Sequence, residues 1–165
     1  MSPDTTELAL ALGNALAQRG MRLATAESCT GGRIAGAVTD IAGSSGWFDR
    51  GFVTYSNEAK CDMLGVDPVT IAAHGAVSEQ TAREMAEGAL KRSLADVSVA
   101  VTGIAGPGGA TPTKPVGTVC IAWARRDRPT RSETLVFAGD REAVRAKTVI
   151  HAMQALLADL RAGES

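Results

Sequence analysis

Hydrophobic residues along this chain switch repeatedly between a helical and a strand-like period. Leu8, Leu12 and Leu16 recur every four residues, which predicts an amphipathic helix over 4–19, stopped by Gly20. An apolar run predicts a strand over 21–26, and the double glycine Gly31-Gly32 opens a helix reaching about Thr39. Ile41 to Gly46 carries turn residues and reads as a loop. Trp47 to Tyr55 reads as a strand, interrupted at Asp49-Arg50-Gly51 in the manner of a bulge. Ser56 or Asn57 caps a short helix running to Leu64, and Asp67-Pro68 starts another that Gly75 ends. Ser78 caps a longer helix over 79–93, with Met85, Ala89 and Leu90 on one face. The valine-rich run Val97 to Thr102 predicts a buried strand, followed by a long loop from Gly103 to Pro115. Val116 to Ala124 and Thr134 to Ala138 read as an antiparallel hairpin joined by the polar turn Arg125 to Arg131. Asp140 caps a final helix to about Leu160, with Ile150, Met153, Leu157 and Leu160 on its buried side.

Strands separated by helices predict an α/β fold, and the hairpin makes its sheet mixed. The expected architecture is a three-layer α/β/α sandwich forming one domain over 1–165. At that length a chain buries enough surface to need no disulfide or metal staple. Aromatic residues make up only 4%, so the core must be built from Ala, Val, Leu and Ile.

The formal net charge is −1, which argues against a protein that grips nucleic acid by neutralising phosphates. A pocket for one small anion remains compatible with it. Met1 to Gln18 lacks the basic region of a secretory signal, and no apolar stretch is long enough to span a bilayer. Three scattered cysteines, Cys29, Cys61 and Cys120, suit free thiols in a reducing cytoplasm. Neither His74 nor His151 has ligand spacing to a cysteine, so no metal site is expected.

Candidate chemistry centres on Thr25-Ala-Glu-Ser-Cys-Thr-Gly-Gly32, a predicted strand-to-helix turn. Ser28 there reads either as a helix N-cap or as a nucleophile aimed into a cleft, and it lacks the Gly-x-Ser-x-Gly context of a nucleophile elbow. A nucleophilic serine needs a base. His74 ends a helix and His151 lies inside one, and both read as structural. Lys60, in Tyr55-Ser-Asn-Glu-Ala-Lys60, is the remaining candidate base, provided its pKa is lowered; the alternative is a solvated helix lysine. The Tyr-x-x-x-x-Lys spacing is one residue too long for a short-chain dehydrogenase, and the glycine fingerprint is missing. Thr102-Gly-Ile-Ala-Gly-Pro-Gly-Gly109 follows a predicted buried strand and suits backbone N–H groups approaching a phosphate or carboxylate, or simply a surface turn. Arg141 and Arg145 lie one turn apart on the last helix, where they can clamp a phosphate. By pattern alone, pairing with Asp140 and Glu142 is the simpler reading.

Together these stretches resemble the CinA C-terminal domain family of competence/damage-inducible proteins, and in particular its stand-alone members that deamidate nicotinamide mononucleotide. Asp40 to Ser45, Arg50 to Lys60, His74 to Ser78 and Lys114 to Thr118 carry the resemblance alongside the two glycine-bearing stretches. The resemblance implies a serine–lysine amidohydrolase without cofactor or metal. In it Ser28 is the nucleophile, Lys60 the base, and Tyr55 and Thr102 supporting polar groups. Substrate contacts are then expected from Thr30, Gly31, Gly32, Gly103, Ala105, Gly106 and either Arg141 or Arg145, with the oxyanion held by N–H groups around Gly31 and Gly32. A non-catalytic nucleotide-binding module in a competence or damage response is the alternative. The expected partner is a small nucleotide rather than nucleic acid or membrane. A homodimer is expected because a hairpin leaves a strand edge to cover.

Overall fold

The computed structural model describes residues 3–162. Its one sheet contains β1 (Leu23–Glu27), β2 (Phe48–Val53), β3 (Val97–Gly103), β4 (Thr118–Arg125) and β5 (Arg128–Val136), in the spatial order β2-β1-β3-β4-β5. β1 runs parallel to both β2 and β3, while β4 and β5 add on antiparallel. Helices α1 (Pro3–Gln18), α2 (Arg33–Thr39) and α6 (Arg141–Ala162) cover one face. Helices α3 (Asn57–Leu64), α4 (Pro68–His74) and α5 (Glu79–Lys91) cover the other. This is the three-layer sandwich with a mixed sheet that the pattern predicts.

The period-two alternation of the strands sorts large from small side chains. Val97, Val99 and Val101 of β3, with Val119, Ile121 and Trp123 of β4, face α1 and α6, where they meet Leu12, Leu16, Met153 and Leu156. The intervening Ala100, Cys120, Ala122 and Ala124 face α5, which answers with Ala82, Met85, Ala86 and Ala89. Small residues on both sides let α5 lie close to the sheet, and the Ser98 hydroxyl donates to the Ala86 carbonyl at 2.7 Å.

Most helix starts follow the caps read from sequence. Ser56 Oγ accepts the Ala59 N–H, Asp67 accepts that of Val69, Ser78 that of Thr81 and Asp140 that of Ala143. The irregularity expected in β2 falls at Asp49, where the register with β1 shifts. Three details differ. The hairpin turn is only Arg126-Asp127, and β5 begins at Arg128 rather than Thr134. Its first half is polar because its partners are polar. Thr130 donates to Glu87 (2.7 Å), Ser132 to Glu79 (2.8 Å), and Arg131 donates to Asp159 across the other face (2.9 Å). β4 starts at Thr118 instead of Val116. On α6, Val149 is fully packed and Ile150 only half-buried.

Gly88 shows how closely α5 packs. In an open helix, alanine would be favoured over glycine by about 1 kcal/mol. Here an added Cβ would come 1.9 Å from the Leu64 carbonyl oxygen at the end of α3. Gly88→Ala is therefore expected to destabilise the protein by about 1–3 kcal/mol. The measurement is a lowered urea midpoint at unchanged slope.

Candidate active site

The parallel strands β2, β1 and β3 all end at the same edge of the sheet, the position at which open α/β sheets bind ligands. After β1 the chain turns through Ser28 to Gly32 before α2 begins. After β2 it passes Thr54 and Tyr55, and the Ser56 cap starts α3 so that Lys60 falls one turn in. After β3 the loop Ile104 to Gly109 forms the opposite wall. The cleft between them has a volume of about 280 Å³ and is lined by Ser28, Lys60, Tyr55, Thr102, the Gly103–Gly106 backbone and Arg141.

Two residues far apart in sequence meet at its floor. Lys60 Nζ lies 3.0 Å from Ser28 Oγ, 3.0 Å from the Thr54 carbonyl oxygen and 3.2 Å from that of Tyr55. Lys60 is 1% exposed, and no carboxylate pairs with its amine among the described residues. Burial pushes its pKa below that of an ordinary lysine, with the Cys29 and Cys61 thiols opposing weakly. The amine donates to all three oxygens, and the Ser28 hydroxyl in turn donates to the Tyr55 carbonyl at 3.4 Å. Cys29, beside Ser28, is also buried, and burial pushes its thiol up to about 11. At neutral pH it is a protonated thiol, and the side chain that meets the Lys60 amine is the Ser28 hydroxyl.

The other candidates divide into two sets. Tyr55 is 64% exposed; its carbonyl receives the Lys60 amine, and its phenol oxygen accepts from Arg141 Nη2 at 3.3 Å. Arg141 Nη1 donates to the Gly106 carbonyl (2.8 Å), so the guanidinium sits at the mouth of the cleft with the glycine loop held against it. Thr102 donates to the Ala76 carbonyl (2.9 Å), tying the segment after α4 to the end of β3. Gly103, Ala105 and Gly106 line the cavity. Thr30, Gly31, Gly32 and Arg145 do not line it. The Thr30 hydroxyl is buried and donates to Glu27 at 2.5 Å. The Gly31 N–H is already given to the Ser28 carbonyl (3.1 Å), so it is not available to an oxyanion. Arg145 lies behind the turn, donating from Nε to the Cys29 carbonyl (3.0 Å) and from Nη2 to that of Thr30 (3.4 Å). These four, expected to touch substrate, thus lie outside the cleft lining, and of the two arginines it is Arg141 that lines it.

One anchor was not read from sequence. Glu27, 1% exposed, accepts from Thr30 Oγ1, from the Ile34 N–H (2.8 Å) and from the Ala35 N–H (3.1 Å). An acidic side chain at the start of α2 meets the positive end of the helix dipole. The signal was an acid at a strand end just before a helix, overshadowed by the serine next to it. Asn57 and the Ala76-Val77 backbone also border the cleft. His74 and His151 are not part of it: His74 lines a neighbouring cavity, and His151 pairs with Glu133 at 3.1 Å.

Residues 5–160 match the model of the CinA C-terminal domain. The chain belongs to that family. It is 55% identical over 155 residues to the nicotinamide-nucleotide amidohydrolase PncC of Escherichia coli K12, covering 93% of each chain. It is 57% identical to a competence-damage inducible protein of Symbiobacterium thermophilum, of whose length it spans only 37%. In structure it resembles the competence/damage inducible protein CihA from Agrobacterium tumefaciens, with a TM-score of 0.94 at 49% identity over 98% of both chains.

The depressed Lys60 pKa fixes a pH dependence. The unfolded chain holds this proton up to about pH 10.4, whereas the folded protein releases it earlier. Between those two values the unfolded state binds more protons, so stability rises with pH. Wild type is expected to gain stability relative to Lys60→Met as pH climbs from neutrality toward 10, in denaturation curves at successive pH values.

Proposed function

We propose that this protein hydrolyses the carboxamide of nicotinamide mononucleotide, giving nicotinate mononucleotide and ammonia, with Ser28 as nucleophile and Lys60 as base. The observation that carries the reading is the 3.0 Å approach of a buried amine, without an anionic partner among the described residues, to the Ser28 hydroxyl in a cleft open to small molecules. The named activity of the E. coli relative supports the choice of substrate.

In this reading neutral Lys60 takes the Ser28 proton as Oγ attacks the amide carbon. The cationic pyridinium ring withdraws electrons from that carbon and eases the attack. Collapse of the tetrahedral intermediate passes the proton from Lys60 to the leaving nitrogen, and ammonia departs. Lys60, neutral again, then activates a water that cleaves the acyl-enzyme and restores the serine. Arg141, steadied by Tyr55 and the Gly106 carbonyl, is the group placed to meet the phosphate at the mouth. A pyridine-nucleotide substrate and three free thiols also favour the cytoplasm as the site of action.

Purified protein is expected to release ammonia from nicotinamide mononucleotide. Ser28→Ala and Lys60→Met should each lower kcat by about 10³-fold or more while nucleotide binding persists. Nucleotide-induced thermal stabilisation with no turnover in wild type would instead favour a binding module.

For the phosphate assignment, Arg141→Ala is expected to raise KM for the mononucleotide by about ten- to a hundredfold, the loss of a charged hydrogen bond. The unphosphorylated riboside should be unaffected. Equal turnover of riboside and mononucleotide by wild type would rule that assignment out.

A further inference from the structure

Removing the Gly31 N–H from the cleft leaves open what holds the oxyanion and what shapes the turn that does so. Three anchors fix the turn. The Ser28 N–H donates to Val101 of β3 (3.0 Å), Glu27 ties Thr30 to the start of α2, and Arg145 reaches across from α6 to the carbonyls of Cys29 and Thr30. The Arg145 guanidinium forms no ion pair among the described residues, so its charge is directed onto these two peptides. Gly31 makes this possible. Its φ of +59° belongs to the left-handed region, and a Cβ there would come 3.3 Å from Arg145 Nη2.

Peptide planarity then sets the N–H directions, because the C=O and N–H of a trans peptide point opposite ways. The Ser28 carbonyl points into the turn and accepts from Gly31, so the N–H on the same peptide, that of Cys29, points out of it. Cys29 lines the cleft, and its N–H faces only its own thiol, a weak acceptor, with no other residue accepting it among the described residues. In serine hydrolases the N–H of the residue after the nucleophile is the usual oxyanion donor. A cation on the Cys29 carbonyl holds the neighbouring peptide, and with it the shape of the whole turn.

We propose that Arg145 is a positioning residue: by clamping the Cys29 and Thr30 carbonyls it keeps the Ser28 turn in the shape that presents the Cys29 N–H to the developing oxyanion. It acts on the transition state and not on the substrate's phosphate. The proposal rests on the deamidase reading above.

The test compares wild type, Arg145→Ala and Arg145→Lys in turnover, and Ser28→Ala with Ser28→Ala/Arg145→Ala in binding of nicotinamide mononucleotide by calorimetry. Alanine suits a helix interior, so the variant is expected to fold. Arg145→Ala should lose about ten- to a hundredfold in kcat, less than removal of an oxyanion donor itself. KM and the calorimetric Kd should stay within about twofold, the behaviour of an interaction made only in the transition state. Guanidinium ion added at millimolar concentration should restore part of kcat in Arg145→Ala and leave wild type unchanged. A rise in KM and Kd at constant kcat would make Arg145 a phosphate ligand and overturn the proposal. So would an unchanged kcat, or a loss that tracks a lowered melting temperature without recovery by guanidinium. Should Arg145→Ala not fold, Arg145→Lys decides alone: folded with lowered kcat and unchanged Kd supports the proposal, and unchanged kcat overturns it. If wild type itself releases no ammonia, the deamidase reading fails first. If wild type is active and Ser28→Ala is not, while Arg145→Ala keeps its kcat, only the positioning role fails.

Discussion

The site depends on an amine taken out of water without a negative charge to meet it. Isolated burial of an ammonium is expensive, and burial pushes the pKa of a lysine in that position down. The structure surrounds the amine with uncharged oxygens only, the carbonyls of Thr54 and Tyr55 and the Ser28 hydroxyl. A carboxylate within reach would have opposed the effect of burial and held the Lys60 pKa up. Glu27 is the acid nearest to Ser28 in sequence, and its carboxylate is fully engaged with Thr30 and the first turn of α2. The same fold thus feeds one buried side chain with helix N–H groups and leaves the other among uncharged oxygens, where burial pushes the Lys60 pKa down.

The sheet topology makes that meeting possible. Ser28 follows β1 and Lys60 follows β2, and the parallel pairing brings the two strand ends side by side. The bulge at Asp49 shifts the register between these strands just once, near their start, so that Glu27 lies opposite Val53 and the two exits leave together. β3, on the other side of β1, contributes Thr102 and the glycine loop. The hairpin β4–β5 extends the sheet away from the cleft and supplies most of its antiparallel character.

Much of this was legible in the chain. Leucine spacing, caps at Ser56, Asp67, Ser78 and Asp140, and the valine run of β3 located the elements, because burial and capping leave local marks. The polar half of β5 escaped because its burial partners, Glu79 and Glu87, are themselves polar and distant in sequence. Ser28 and Lys60 were nameable as candidates, but no local pattern says that a lysine is buried. Their convergence is a property of the parallel sheet. Arg141 and Arg145 carry identical local signals one turn apart. Only the path of α6 past the Ser28 turn separates the one that opens on the cleft from the one behind it.

The unequal faces of the sheet give the two outer layers opposite tolerances. Beneath α1 and α6 the interior is made of large side chains that can be trimmed, so damage there comes as empty space. Beneath α5 the sheet presents mainly alanines, and at Gly88 the helix lies against the main chain at the end of α3. At those positions damage comes chiefly from additions. Because Thr102 hangs the wall of the cleft from this crowded side, one extra methyl group there would be transmitted to the catalytic edge as displacement, where the roomier side would absorb it.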